Sequence, residues 1–92
     1  MSVAVQFAKN LTRLRHRADL SQEELSFRAS LHRTEIGLLE RGARIPRIDT
    51  LAKLAGALGV APADLLDGIE WQPGDIRIGR FKREGDEPLD SE

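Results

Sequence analysis

Side chains able to do chemistry are sparse in this sequence and mostly of one kind. It has no cysteine and two histidines, His16 and His32, against fourteen Lys/Arg and fifteen Asp/Glu. Metal sites recruit His, Cys and carboxylate ligands at short spacings, and covalent catalysis needs a nucleophile within reach of a base. Neither pattern occurs here, nor does a Gly-rich loop of the kind that cradles phosphates. The expected catalytic residues, metal ligands and cofactors are therefore none, and what remains is hydrogen bonding and charge. That charge is unevenly placed: residues 1–60 carry ten Lys/Arg against six Asp/Glu, a net of +4, whereas residues 61–92 carry four against nine, a net of −5. The basic charge belongs to the segment expected to fold.

Ninety-two residues suffice for one small domain and a tail. No apolar run approaches the ~20 residues that cross a bilayer. The N-terminal Met1-Ser2-Val3-Ala4-Val5-Gln6 lacks the basic and apolar regions of a signal peptide, and without cysteine there is no disulfide framework, so the expected location is cytoplasmic, with no membrane partner. Beyond Arg83 every residue is acidic or neutral, with Glu84, Asp86, Glu87, Asp90 and Glu92 interrupted by Gly85 and Pro88. Such a segment buries too little apolar surface to offset its ordering entropy, and residues 84–92 are expected to be a disordered acidic tail.

The elements that must position the basic side chains follow from periodicity. Ala4, Phe7, Ala8, Leu11, Leu14 and Ala18 recur at spacings of three and four, which predicts a first helix over 4–18 with Lys9, Arg13 and Arg17 on its polar face. Ser21 followed three residues later by Glu24 is a capping-box signature, opening a second helix over 22–29. After Ser30 and Leu31, Ile36 and Leu39 face one side of a third helix over about 32–41, with Arg33, Thr34, Gly37 and Leu38 on the other. Gly42 and Pro46 stop it. Leu51, Leu54, Ala55 and Leu58 define a fourth helix starting near Asp49 and ending before Gly59, and Pro62 and Asp64 open a short fifth through Leu66, stopped by Gly68. The period then changes: Ile69 and Trp71 alternate with polar residues, Gln72-Pro73-Gly74-Asp75 reads as a turn, and Ile76 and Ile78 alternate again, ending at Phe81.

Two short helices joined by a tight turn, the second with an amphipathic outer face, have the layout of a helix-turn-helix. The residues themselves, Leu20-Ser-Gln-Glu-Glu-Leu25, Arg33-Thr34, Ile36, Leu39-Glu40-Arg41-Gly42, Arg44, Pro46, Asp49-Thr50-Leu51, Leu54-Ala55, Ala57-Leu58-Gly59-Val60 and Leu65-Leu66, resemble the Cro/C1-type helix-turn-helix family of xenobiotic-response-element (XRE) type over about residues 5–68. The resemblance implies an all-α, five-helix, lambda-repressor-like domain over residues 1–68; it does not reach residues 69–92, where the alternation predicts a short extended or β-like arm over 69–83. It implies a transcription regulator, a repressor among its forms, that acts as a homodimer on a near-palindromic operator in double-stranded DNA.

By the same resemblance, the groove-facing positions of the recognition helix fall on Arg33, Thr34 and Leu38, with His32 at its start. A guanidinium can donate to guanine O6 and N7, a threonine can reach a base edge or phosphate, and a leucine can meet a thymine methyl. Gln22, His32, Arg44 and Arg47 fall where phosphates are held, with Lys53 or Arg13 extending that track, and Arg15 and Glu40 match a structural ion pair between the third and first helices. The chain departs from the family pattern at Ser30, where Gly is common in the turn, at Ser26, where Ala is usual, at His32, where Ser or Thr caps the third helix, and at Ala61, where a capping residue precedes Pro62. Glu23, Glu24 and Glu35 read as solvated charges. For residues 69–83 two readings stand: Trp71 and Phe81 anchor a dimer or protein partner, as in an adaptor or antitoxin-like module, or they close the base of the helical core.

Overall fold

The computed structural model describes residues 2–75 and 78–82. Ser2 caps α1 (Val3–Arg17), its Oγ accepting from the Val5 N–H at 3.1 Å. The helix begins and ends one residue earlier than its periodicity suggests. Ala18 is its C-cap and stands exposed, because the chain turns away there through Asp19 at φ 59°. α2 (Gln22–Ala29) opens on a complete capping box: the Glu24 N–H donates to Ser21 Oγ at 3.0 Å and the Ser21 N–H to Glu24 Oε1 at 2.8 Å. The turn after it closes with the Leu31 N–H on the Ser26 carbonyl and the Ser30 N–H on that of Phe27, which requires Ser30 to take the left-handed conformation at φ 54°, ψ 44°.

α3 (Arg33–Glu40) ends in the same kind of closure, with Gly42 supplying the positive φ of 70°. α4 (Ile48–Leu58) stops at Gly59, and α5 (Pro62–Leu65) is a single turn in which Asp64 accepts from the Ala61 N–H at 3.0 Å. α1 packs on α3 and α5, α2 on α3 and α4, and α4 on α5. Phe7, Leu11, Leu14, Leu25, Ala29, Ile36, Leu39, Leu54, Ala55 and Leu65 form one core at their meeting point. Burying this set supplies the main driving force for the helical arrangement.

Two polar side chains of α1 share that interior. Asn10 is fully buried and its Nδ2 donates to the carbonyls of Leu65 and Asp67 at 2.9 and 2.8 Å, tying the end of α5 to α1. Gln6 Nε2 donates to Asn10 Oδ1 at 3.1 Å. Reading apolar residues alone misses both, since they lie on the same stripe as Phe7 and Leu14.

Beyond α5 the chain forms an antiparallel ribbon, β1 (Glu70–Gln72) and β2 (Arg80–Lys82), in which Trp71 faces Phe81. This corrects the expected second segment: Ile78 stands outside the strand, and residues 73–79 connect β1 to β2. Pairing the two aromatic residues sets the register, their rings meeting edge to face at 5.1 Å and 72°. The Trp71 ring also covers Gly79, where an added methyl would stand 2.2 Å from Cζ2. Trp71 and Phe81 thus pack on each other instead of closing the base of the helical core, which takes Ile69 from this segment. Ile76 and the expected acidic tail over 84–92 lie outside the described residues. No helix among the described residues is long and apolar enough to cross a membrane.

Candidate nucleic-acid interface

The first turn of α3 follows directly on the turn at Ser30 and Leu31 that ends α2. Arg33 and Thr34 are exposed, and the Arg33 side chain makes no hydrogen bond or ion pair among the described residues. Leu38, one turn further on, is half-buried. His32 fills the cap position: its Nδ1 accepts from the Thr34 N–H at 3.2 Å, so an imidazole does here what a hydroxyl or carboxylate usually does.

Gly37, read from sequence as outward-facing, is instead buried. The cover comes from Arg41, one turn along, whose Nη1 would stand 3.2 Å from a methyl on Gly37. The missing side chain gives the Arg41 guanidinium room to lie back along α3, on the stripe that also carries Arg33. Arg41 was not singled out in the sequence; its i, i+4 spacing from a glycine was the available signal.

Behind this surface lies a three-residue polar lock. Arg15 donates through Nε and Nη2 to the two oxygens of Glu40 at 2.6 and 3.0 Å, and through Nη1 to the Leu20 carbonyl at 2.9 Å. Gln22 Nε2 donates to Glu40 Oε1 at 3.1 Å. The fork-to-fork geometry fixes the end of α3 against α1, and the amide of Gln22 ties the start of α2 to the same carboxylate. Burial alone would raise the Glu40 carboxyl; the donors Arg15 and Gln22, together with the Arg15 charge, outweigh it and hold the group below the ordinary carboxylate value. The same carboxylate holds the Arg15 guanidinium above its usual value.

Arg44 and Arg47, on the loop that follows α3, are engaged by neighbours. Arg44 donates to Glu35 Oε1 at 2.8 Å, so Glu35 is not the free solvated charge expected of it. Glu24 is likewise committed to its capping box, and its carboxyl is held low by the Ser21 backbone N–H and hydroxyl. Arg47 reaches Asp49 at 3.3 Å with both side chains exposed. Exposed ion pairs of this kind are worth roughly 0–1 kcal/mol, so a phosphate can take either arginine from its carboxylate at small cost. Arg13 turns toward Asn10 and Asp67, and Lys53 lines a shallow depression with Arg28 between α2 and α4. The structure therefore brings His32, Arg33 and Thr34 together at the start of α3, sets Gln22 and Arg41 at its other end beside Glu40, and leaves Arg44 and Arg47 on the following loop.

Comparison with known proteins matches the helix-turn-helix family over residues 11–65. The chain is similar to control protein C.BamHI of Bacillus amyloliquefaciens, with 40% identity over 67 residues that cover 72% of this chain and 83% of that one. It is similar to control protein C.SmaI of Serratia marcescens, with 39% identity over 66 residues, 72% of this chain and 79% of that one. Among solved structures, the restriction-modification controller protein C.AhdI from Aeromonas hydrophila superposes with a TM-score of 0.66 at 40% identity, covering 67% of this chain and 94% of that chain.

Proposed function

This chain belongs to the Cro/C1-type helix-turn-helix family of DNA-binding transcription regulators, and from that premise we propose that it reads a near-palindromic operator as a homodimer, controlling genes of a restriction-modification system. The two copies of α3 lie one turn of duplex apart, ~34 Å, each in a major groove. Arg33 donates to the guanine edge, Thr34 to a neighbouring base or phosphate, and Leu38 meets a thymine methyl. Gln22, His32, Arg44 and Arg47 hold phosphates, the last two by exchanging a carboxylate for a phosphate oxygen. Arg15 and Glu40 position the reading helix and touch no DNA.

The observation that carries this reading is the exposed, unpaired Arg33 at the start of a helix whose other end is locked by Arg15 and Glu40. A side chain poised for a new hydrogen bond stands on an element held at its far end by a bidentate ion pair, and specific readout is favoured by such support. The regulation of restriction-modification genes rests on the similarity to controllers of such systems.

The test is a binding titration of wild type and Arg33→Ala on DNA from upstream of the chain's own gene and on scrambled DNA, at two salt concentrations. Wild type is expected to prefer the cognate fragment and weaken with salt, and Arg33→Ala to lose about 1–3 kcal/mol of that preference. Equal preference in both proteins overturns the assignment of α3 as reader.

A further inference from the structure

α1 and α3 leave between them a groove of about 630 Å³ that holds none of the base-reading residues. Val5, Ala8 and Thr12 recur at spacings of three and four and give it an apolar strip along α1. Lys9, Arg13, His16 and Arg41 border that strip. The carboxylate in the wall, Glu40, is already committed to Arg15 and Gln22. The side chains of Lys9 and Arg41 make no hydrogen bond or ion pair among the described residues. Arg13 reaches Asn10 Oδ1 at 3.4 Å and Asp67 at 3.8 Å, with its side chain 45% exposed. His16 Nε2 accepts from Arg15 Nη2 at 3.2 Å, which leaves its Nδ1–H as a donor. The groove is thus a strip of apolar surface bordered by donors that have little opposing charge.

We propose that residues 84–92 of this chain lie in that groove. Their chemistry matches it: Glu84, Asp86, Glu87, Asp90 and Glu92 bring five carboxylates with no Lys or Arg, and Leu89 is the one large apolar side chain among them. The carboxylates pair with Lys9, Arg13 and Arg41, and Leu89 rests on Val5 and Ala8. The path of the chain matches as well. Lys82, the last described residue, pairs with Glu70 across the ribbon, and Asp67, three residues before Glu70, touches α1 through Asn10 and Arg13. The segment therefore sets out near the Arg13 side of the groove. Its extended length of up to ~30 Å exceeds the ~16 Å that α1 rises from Val5 to His16, so it spans the groove with slack. A segment with too little apolar surface to fold alone gains order from a surface that offers it. The other basic faces fit less well: Arg44 and Arg47 already hold Glu35 and Asp49, and the depression between α2 and α4 offers two cations, Arg28 and Lys53. Engaged in the groove, Arg13 and Arg41 are withheld from other anions, and the segment offsets the basic charge of the domain it follows.

The chain has no cysteine, so a nitroxide attached through Ser91→Cys in the full chain marks this segment alone. At low salt the label should broaden the amide resonances of Lys9, Thr12, Arg13 and Arg41 more than those of Arg33, Arg28 and Lys53. Raising the salt should restore the lost intensity. In the labelled chain, replacing the five carboxylates together (Glu84→Gln, Asp86→Asn, Glu87→Gln, Asp90→Asn, Glu92→Gln) should remove the broadening, as should Lys9→Glu alone. Leu89→Ser should weaken it. Lys9 is exposed and the carboxylates lie beyond the helices, so far-UV circular dichroism of these variants should match wild type. A mixture of nitroxide-labelled chain with isotope-labelled chain lacking the nitroxide should show no broadening. Broadening that is absent, centred on Arg33 or on Arg28 and Lys53, indifferent to the charge variants, or carried across the mixture by a second copy overturns the proposal. The expected pattern in a chain that selects no operator keeps the contact and removes the DNA-reading assignment, since no DNA enters the measurement.

Discussion

α1 is fastened to the rest of the molecule at two polar points, and they are built from different chemistry. At its middle, Asn10 holds the end of α5 through a neutral amide, at a position with no solvent exposure, with Arg13 Nη1 reaching its Oδ1 from the rim at 3.4 Å. Toward its end, Arg15 holds α3 and α2 with full charges, at side chains 12% and 6% exposed for Arg15 and Glu40. A charge at the first site would be costly to desolvate, whereas an amide satisfies two carbonyls there without one. At the second site the pair lies at the edge of the core, where the Coulombic gain is retained and part of the hydration is not lost. The neutral fastening serves the fold; the charged one serves the surface, because it sets the end of α3 and the start of α2 in one geometry.

The distinction is broken most strongly at Glu40. Glu40→Ala strands a guanidinium that is mostly removed from water, and should cost about 3 kcal/mol in a urea titration. The loss carries a pH signature. The Glu40 carboxyl is held below its ordinary value of 4.5, so its contribution is complete above that value and disappears as pH falls through the lowered one. Wild type should lose stability on acidification below the carboxylate range, with Glu24 at its cap adding to the trend, and Glu40→Gln should flatten the profile. Identical profiles in the two proteins would place the titration elsewhere.

Asn10→Ala tests the other fastening. It leaves the buried Leu65 carbonyl without its donor and the Gln6 amide with only a long 3.5 Å bond to the Asp67 carbonyl, and should cost about 2 kcal/mol, the same above and below the carboxylate range. A cost that grows with acid would erase the contrast between the two sites. The smallest effect lies at the turn between α2 and α3, away from both fastenings. Ser30 holds φ 54° without being glycine, and Ser30→Gly should raise stability by about 0.5 kcal/mol, or roughly 2–4 °C in Tm, with DNA binding unchanged. A lowered Tm would mean that Ser30 gains more from its surroundings than its backbone loses.

Much of this was legible in the sequence, for reasons that are local. The stripe Phe7, Leu11, Leu14, the Ser21–Glu24 box and Gly42 each act within a turn or two of chain, and the boundaries of α2 came out to the residue. The resemblance then located the Arg15–Glu40 pair, whose members lie twenty-five residues apart, but gave Gln22 to a phosphate and not to the Glu40 carboxylate it bonds. Asn10 was not legible, because its partners lie some fifty-five residues away and a polar residue on an apolar stripe gives no sign of being satisfied. The ribbon was half legible. Alternation announced extended chain, but Ile78 alternates as well as Phe81 does, and only the meeting of two rings decides which residue faces Trp71. Arg41 escaped because its position depends on what Gly37 lacks.

The cap at His32 settles more than where α3 begins. With Nδ1 engaged by the Thr34 N–H, a neutral ring must carry its proton on Nε2, so the fold selects the tautomer. The ring becomes one-sided toward whatever meets the start of α3: it can give a proton to an oxygen and has no lone pair left to receive one. The imidazole that caps the helix thus presents a single donor, Nε2–H, to the surface beside Arg33.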